Sequence, residues 1–193
     1  QGQIAGDFPE QTPYIEWKNS IYPAQNTQCQ DCHMPMIIDS VDIASVPQSH
    51  QVYRTPFWKH SFVGGNVYML NMLKNNISTL GLTATSENFD STIARAKENL
   101  TEKAIDLFIT TTYENDSLNV FVKIENKTGH KIPGGIPFRR MWIHLMITDP
   151  SNNIVFESGK WDAQGEINGL DAEYEPHYDL INNEDEVQIY EGV

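Results

Sequence analysis

The residues with the clearest capacity for chemistry are two cysteines and a histidine within five consecutive positions. Residues 29–33 read Cys-Gln-Asp-Cys-His, which is the C-x-x-C-H spacing of covalent c-type haem attachment. Two thiols three positions apart on one turn, Cys29 and Cys32, can each form a thioether to a haem vinyl group. The next residue, His33, is then placed to ligate the iron. These are the only two cysteines of the 193-residue chain, so no third thiol competes for either position.

A redox dithiol, a zinc half-site and a structural disulfide are the alternatives for the same spacing. A thioredoxin-like dithiol requires a strand before it and a helix after it, and the flanking residues 22–26 and 34–36 do not have that pattern. A zinc site needs about four ligands, and no second Cys-x-x-Cys or paired histidine supplies the remainder. We therefore expect covalent haem c as the cofactor, bound through Cys29, Cys32 and His33.

A second axial ligand to the iron has to come from elsewhere in the chain. His60 and His130 are each followed within five positions by a Gly-Gly pair, and glycine lets backbone approach a flat ligand closely. We expect His60 first and His130 second as the distal metal ligand, with His50 behind them. Met69 and Met72 also have suitable separation, but they lie in a helical apolar stripe where methionine is more often core. A sixth site left open to substrate is the remaining alternative.

Charge and hydropathy exclude several classes of partner. The formal net charge of −13 argues against nucleic acid and anionic lipid, and is compatible with a basic partner or with solubility alone. No apolar run approaches the roughly 18–20 residues needed to span a bilayer. Covalent haem attachment takes place outside the bacterial cytoplasm, so we expect a periplasmic or extracellular protein, with an export leader or a longer N-terminal region preceding this chain.

The first part of the chain, residues 1–104, is expected to be a haem c-binding region of loops and helices. Residues 1–58 show little periodicity, whereas apolar residues recur at helical spacing over residues 67–76. A second helix is predicted from Ser86 as N-cap, with Phe89, Ile93, Ala96 and Leu100 on one face, ending near residues 103–104.

The second part, residues 105–193, changes to a period of two. Alternation over residues 105–109 and 118–124, around a turn at residues 114–117, predicts a hairpin with one buried face. A third strand is predicted through residues 141–147 and a fourth through residues 154–156. We therefore predict an α+β fold, in which the irregular haem-binding region is followed by a small antiparallel β-sandwich-like domain. The strand pattern near residue 190 suggests truncation at the C-terminus.

Several segments together resemble multihaem c-type cytochromes, including nitrite-reductase-related proteins and cytochrome c554-like electron carriers. The similar segments are residues 14–22 ahead of the attachment motif, His-x-Phe-x-Gly-Gly-Asn at residues 60–66, and Asn-x-Thr-Gly-His-x-x-Pro-x-Gly at residues 126–135. The resemblance implies His33 as proximal ligand and His60 or His130 as distal ligand, in some cases to a haem attached elsewhere. The chain departs from this family in having a single attachment motif, and it has no C-x-x-C-K for a lysine-ligated haem.

These features together predict an electron-transfer protein rather than an enzyme. Two imidazole ligands would leave no iron site for substrate, and without a methionine ligand the potential would be low. The expected partners are redox proteins or neighbouring haem domains. The alternative is a haem enzyme or ligand sensor whose sixth position is open or displaceable.

Overall fold

The computed structural model describes residues 11–44, 52–136, 139–170 and 177–191. The chain divides into two compact units. The cysteine-bearing unit is Trp17–Gly129, and the terminal unit combines Gln1–Glu16 with His130–Val193. The predicted α+β class is confirmed, with short antiparallel sheets: the described strands pair as five two-stranded ladders.

The described residues between 11 and 58 form short elements. Helix α1 is Pro13–Lys18, and a 3₁₀ turn covers Pro23–Gln25. Helix α2, Cys29–His33, carries the attachment motif. Four short strands follow: β1 Met36–Ile37, β2 Val41–Asp42, β3 Tyr53–Arg54 and β4 Phe57–Trp58. Strand β1 pairs with β4, and β2 pairs with β3.

Both predicted longer helices are present. Helix α3 is Val67–Asn75, and the side chain of Asn66 caps it by accepting a hydrogen bond from the Met69 amide at 2.9 Å. Helix α4 is Ser86–Glu98 and continues as a π-helical turn over Asn99–Lys103. Its N-cap is Thr85, so the prediction of Ser86 is wrong by one residue. The reason is a reciprocal capping box, in which the Thr85 and Asn88 side chains each accept from the other residue's amide.

The predicted hairpin is longer than expected and pairs over its full length. Strands β5 Ile105–Glu114 and β6 Ser117–Asn126 are joined by Asn115 and Asp116, both with positive φ as a tight two-residue hairpin loop requires. The expected burial of one face is not found, because Leu107 is 56% and Ile109 58% exposed. Two strands alone do not cover the apolar side of this ladder.

The remaining strands belong to the terminal unit: β7 Arg140–Trp142, β8 Leu145–Thr148, β9 Ile154–Ser158 and β10 Ile189–Glu191. The strand predicted through residues 141–147 is split into β7 and β8. Strand β7 pairs with β10, whereas β8 pairs with β9. The backbone of Ile143 lies against Gly159, where an added Cβ would be 2.3 Å from the Ile143 carbonyl oxygen. Ile167, Val187 and Ile189 form the buried apolar cluster of this unit, and Trp142 packs against it.

Candidate haem-attachment site

The attachment motif forms a single helical turn with defined ends. Gln28 is extended at the N-cap, and its amide donates to Asp31 Oδ2 at 2.7 Å. The turn ends at Met34, which is extended and whose amide donates to the Gln30 carbonyl at 2.8 Å. Pro35 follows, and a residue before proline is disfavoured in the helical region. These local features fix the motif as one turn with an extended strand after it.

Cys29 and Cys32 lie three positions apart on this turn, which places their side chains on one side of the helix. Both thiols are free and both residues are exposed. Partial burial raises the pKa of the Cys32 thiol, and the neighbouring Asp31 and Cys29 raise it further. The two thiols are therefore accessible on the same side of the turn.

The imidazole of His33 is oriented by backbone of a distant segment. Its Nδ1 lies 2.6 Å from the carbonyl oxygen of Val63, and the Val63 amide donates to the His33 carbonyl at 2.9 Å. A carbonyl can only accept, so Nδ1 carries the hydrogen and the lone pair of the neutral ring is on Nε2. Iron-ligating histidines characteristically donate their other ring nitrogen to a carbonyl or carboxylate in this way.

Residues 57–63 run beside the attachment turn and its following strand. Trp58 pairs with Met36 in the β1–β4 ladder, and the Lys59 amide donates to the Pro35 carbonyl at 2.8 Å. The indole Nε1 of Trp58 also donates to Asp31 Oδ1 at 3.2 Å. The turn is thus connected to this segment by side-chain and backbone hydrogen bonds.

His60 belongs to the same segment and is exposed. Its ring stacks on Phe62, with centroids 5.8 Å apart and planes inclined by 9°. In sequence, His60 lies between Lys59 and Val63, whose amides donate to the Pro35 and His33 carbonyls. The structure therefore places the backbone of His60 beside residues 33–35.

His130 lies in the terminal unit, next to a glycine that cannot be replaced without strain. Its Nδ1 is 3.0 Å from the Lys131 carbonyl oxygen. A Cβ at Gly134 would be 2.6 Å from that same oxygen and 3.0 Å from His130 Nδ1. Gly134 is thus required for the loop to close onto the imidazole.

Glu16 connects helix α1 to the loop that carries His130. One carboxylate oxygen accepts the Lys131 amide at 2.7 Å and the other accepts the Thr12 hydroxyl at 2.6 Å. Partial burial acts to raise the pKa of Glu16, but these bonds and the charges of Lys131 and His130 outweigh it and lower the pKa. Glu16 is therefore held as a carboxylate that accepts from the loop backbone.

Two further histidines and the two candidate methionine ligands lie away from the C-x-x-C-H turn in sequence and have different contacts. His144 Nε2 lies 3.0 Å from Glu157 Oε1 and packs edge-on against Trp161, and His177 bonds to Gln188. Met69 and Met72 are 39% and 40% exposed on α3, so neither is fully enclosed core. His50 lies outside the described residues.

The surface around the attachment turn suits a large flat apolar group. Met36 is 52%, Ile38 77% and Phe62 64% exposed, and all three lie on the segments that flank Cys29–His33. Within the described parts of the chain, no cluster of three His, Cys, Asp or Glu side chains could hold a bare metal ion. Haem iron is held by its porphyrin and needs only one or two protein ligands. The residues present therefore fit a haem attached through Cys29 and Cys32.

Asp31, Trp58 and Val63 are the site residues that sequence reasoning missed. Asp31 could have been noticed as the one charged residue between the cysteines. Val63 contributes only backbone groups, which leave no signal in the sequence.

Comparison of the chain with family models, curated proteins and solved structures gives no match. Among the described residues, no helix is both long enough and apolar enough to cross a membrane.

Proposed function

We propose that this chain is a c-type cytochrome module with one haem, joined by thioethers to Cys29 and Cys32 and ligated by His33. The observation that carries the proposal is the combination of the C-x-x-C-H turn with the 2.6 Å bond from His33 Nδ1 to the Val63 carbonyl. The turn presents two thiols on one side, and the bond keeps the Nε2 lone pair available in the neutral tautomer. A bound haem supplies one-electron exchange between Fe(III) and Fe(II).

The residues of the chain have distinct tasks in this proposal. Cys29 and Cys32 fix the haem covalently, and the Val63 carbonyl stabilises the orientation of the His33 ring. Met36, Ile38 and Phe62 provide apolar surface that would exclude water from the haem face.

The second axial ligand is proposed to be a histidine, with His60 ranked before His130 as the sequence pattern suggests. His60 lies between Lys59 and Val63, whose amides donate to the Pro35 and His33 carbonyls. This histidine therefore belongs to the segment that is hydrogen-bonded to the motif.

Export to the periplasm or the extracellular side of a bacterium follows from the proposed attachment chemistry. The proposed partners are redox proteins or adjacent haem domains, as in the multihaem cytochromes that the sequence resembles. A basic docking surface on the partner would complement the net charge of −13.

The visible spectrum of the matured protein tests the proposed electron-transfer role. We expect sharp reduced bands that carbon monoxide does not change, because two imidazoles leave no open coordination position. Rapid carbon monoxide binding to the reduced protein would instead indicate a haem enzyme or ligand sensor with an open sixth site.

A further inference from the structure

The carboxylate of Asp31 connects the start of the attachment turn to a neighbouring strand. Its Oδ2 accepts the backbone amide of Gln28 at 2.7 Å, and its Oδ1 accepts the indole N–H of Trp58 at 3.2 Å. Gln28 is the N-cap of α2, whereas Trp58 belongs to β4. One side chain, placed between the two cysteines, therefore bonds in two directions at once.

The other end of the same turn is connected to the same segment. The imidazole and carbonyl of His33 bond to the carbonyl and amide of Val63. A helix of five residues has too few internal hydrogen bonds to be stable by itself. The bonds of Asp31 and His33 connect Cys29–His33 to residues 57–63 at both ends of the turn.

We propose that Asp31 is a positioning residue of the haem-attachment turn. It holds the two cysteines on one face of the turn through its bonds to Gln28 and Trp58. A second consequence of Asp31 rests on the proposed function. With haem attached, the Asp31 carboxylate is a negative charge two residues from the iron ligand His33. A nearby negative charge stabilises the more positive Fe(III) state, so Asp31 lowers the midpoint potential.

Amide hydrogen exchange of the full chain tests the positioning role without any haem. In Asp31→Asn, exchange at Gln28 and over Cys29–His33 should become roughly five- to tenfold faster, since an amide oxygen is a weaker acceptor than a carboxylate. Trp58→Phe keeps an aromatic ring and leaves the bond from Gln28 to Asp31 intact, but it removes the indole N–H that bonds Asp31. Exchange should therefore become faster at Met34 and Val63 but not at Gln28. Asp39→Asn removes an equal charge from an exposed position and should leave these amides unchanged. Unaltered exchange in both Asp31→Asn and Trp58→Phe would overturn the positioning role.

The midpoint potential of the haem-loaded protein tests the electrostatic consequence. Asp31→Asn should raise the potential more than Trp58→Phe, which keeps the carboxylate, and more than Asp39→Asn. Equal shifts in the two Asp→Asn variants would refute a specific effect of Asp31. A chain that takes up no haem would refute the proposed function, while the exchange experiment would still decide whether Asp31 positions the turn.

Discussion

At the scale of single residues, the most informative contact is the one between His33 Nδ1 and the Val63 carbonyl. It selects the tautomer with the lone pair on Nε2, and it does so from a segment thirty residues away in the chain. The C-x-x-C-H spacing alone predicts which imidazole is the proximal ligand. The fold adds the Val63 carbonyl, which orients this imidazole as outer partners generally orient a ligating histidine.

The assignment of the distal ligand can be tested with three histidine variants. His60→Ala should convert a low-spin haem spectrum to high-spin, because the sixth position loses its imidazole. His130→Ala should leave the spectrum low-spin if His60 is the ligand. His144→Ala is the matched control, because His144 is engaged with Glu157 and Trp161. A high-spin spectrum in His130→Ala alone would contradict this ranking.

Glu157 gives a pH dependence whose sign is fixed by its partners. Hydrogen bonds from Lys160 and then from His144 lower the pKa of Glu157 below its ordinary value of 4.5. A carboxyl group with a lowered pKa stabilises the folded state above its ordinary pKa, and this contribution is lost as the pH falls through the folded-state pKa. Denaturant unfolding of Glu157→Gln should therefore show reduced stability at pH 7 and a smaller loss on acidification than the parent. Parallel pH profiles for the two proteins would disprove the assigned role.

At the scale of elements, the first glycines of the two His…Gly-Gly segments differ sharply in their surroundings. A Cβ at Gly134 would be 2.6 Å from the Lys131 carbonyl oxygen, whereas a Cβ at Gly64 meets nothing within 4 Å. Gly134→Ala should cost on the order of 1–3 kcal/mol in unfolding free energy, as overpacking does. Gly64→Ala should be close to neutral. Similar unfolding free energies for both variants would show that the loop after His130 is not closed as described.

The start of helix α4 offers a second paired comparison. The Thr85 hydroxyl accepts the Asn88 amide at 3.3 Å, while Ser86 is the first helical residue rather than the cap. Thr85→Ala should lower the unfolding free energy by about 1 kcal/mol, which is typical for loss of an N-cap. Ser86→Ala should change it by less than about 0.5 kcal/mol, the usual range for an exposed surface substitution. A larger loss in Ser86→Ala would favour the cap that the sequence pattern suggested.

The elements that sequence reasoning predicted well are those with their own local signals. Helices α3 and α4 have periodic apolar faces, and the β5–β6 hairpin has Asn115 and Asp116 at its turn. The break between β7 and β8 was not predicted, because it depends on the close approach of Gly159 to Ile143, residues that are distant in sequence. The bonds from Trp58 to Asp31 and between His33 and Val63 were missed for the same reason.

At the scale of the whole molecule, the two compact units contribute different candidate ligands. The cysteine-bearing unit contains Cys29, Cys32, His33 and His60, and the terminal unit contains His130. The predicted division at residues 104 and 105 remains a sequence-based expectation. Exposed apolar residues lie beside the C-x-x-C-H turn (Met36, Ile38 and Phe62) and on the β5–β6 hairpin (Leu107 and Ile109).

The central claim is covalent haem attachment at Cys29 and Cys32, and mass spectrometry of the intact chain tests it most directly. The full chain, expressed for export in a bacterium with a haem-attachment system, should gain the mass of one haem that persists under denaturing conditions. Cys29→Ala combined with Cys32→Ala should abolish the gain, whereas His144→Ala should retain it. An unmodified mass for the exported parent chain, with both thiols still free to react, would contradict the account.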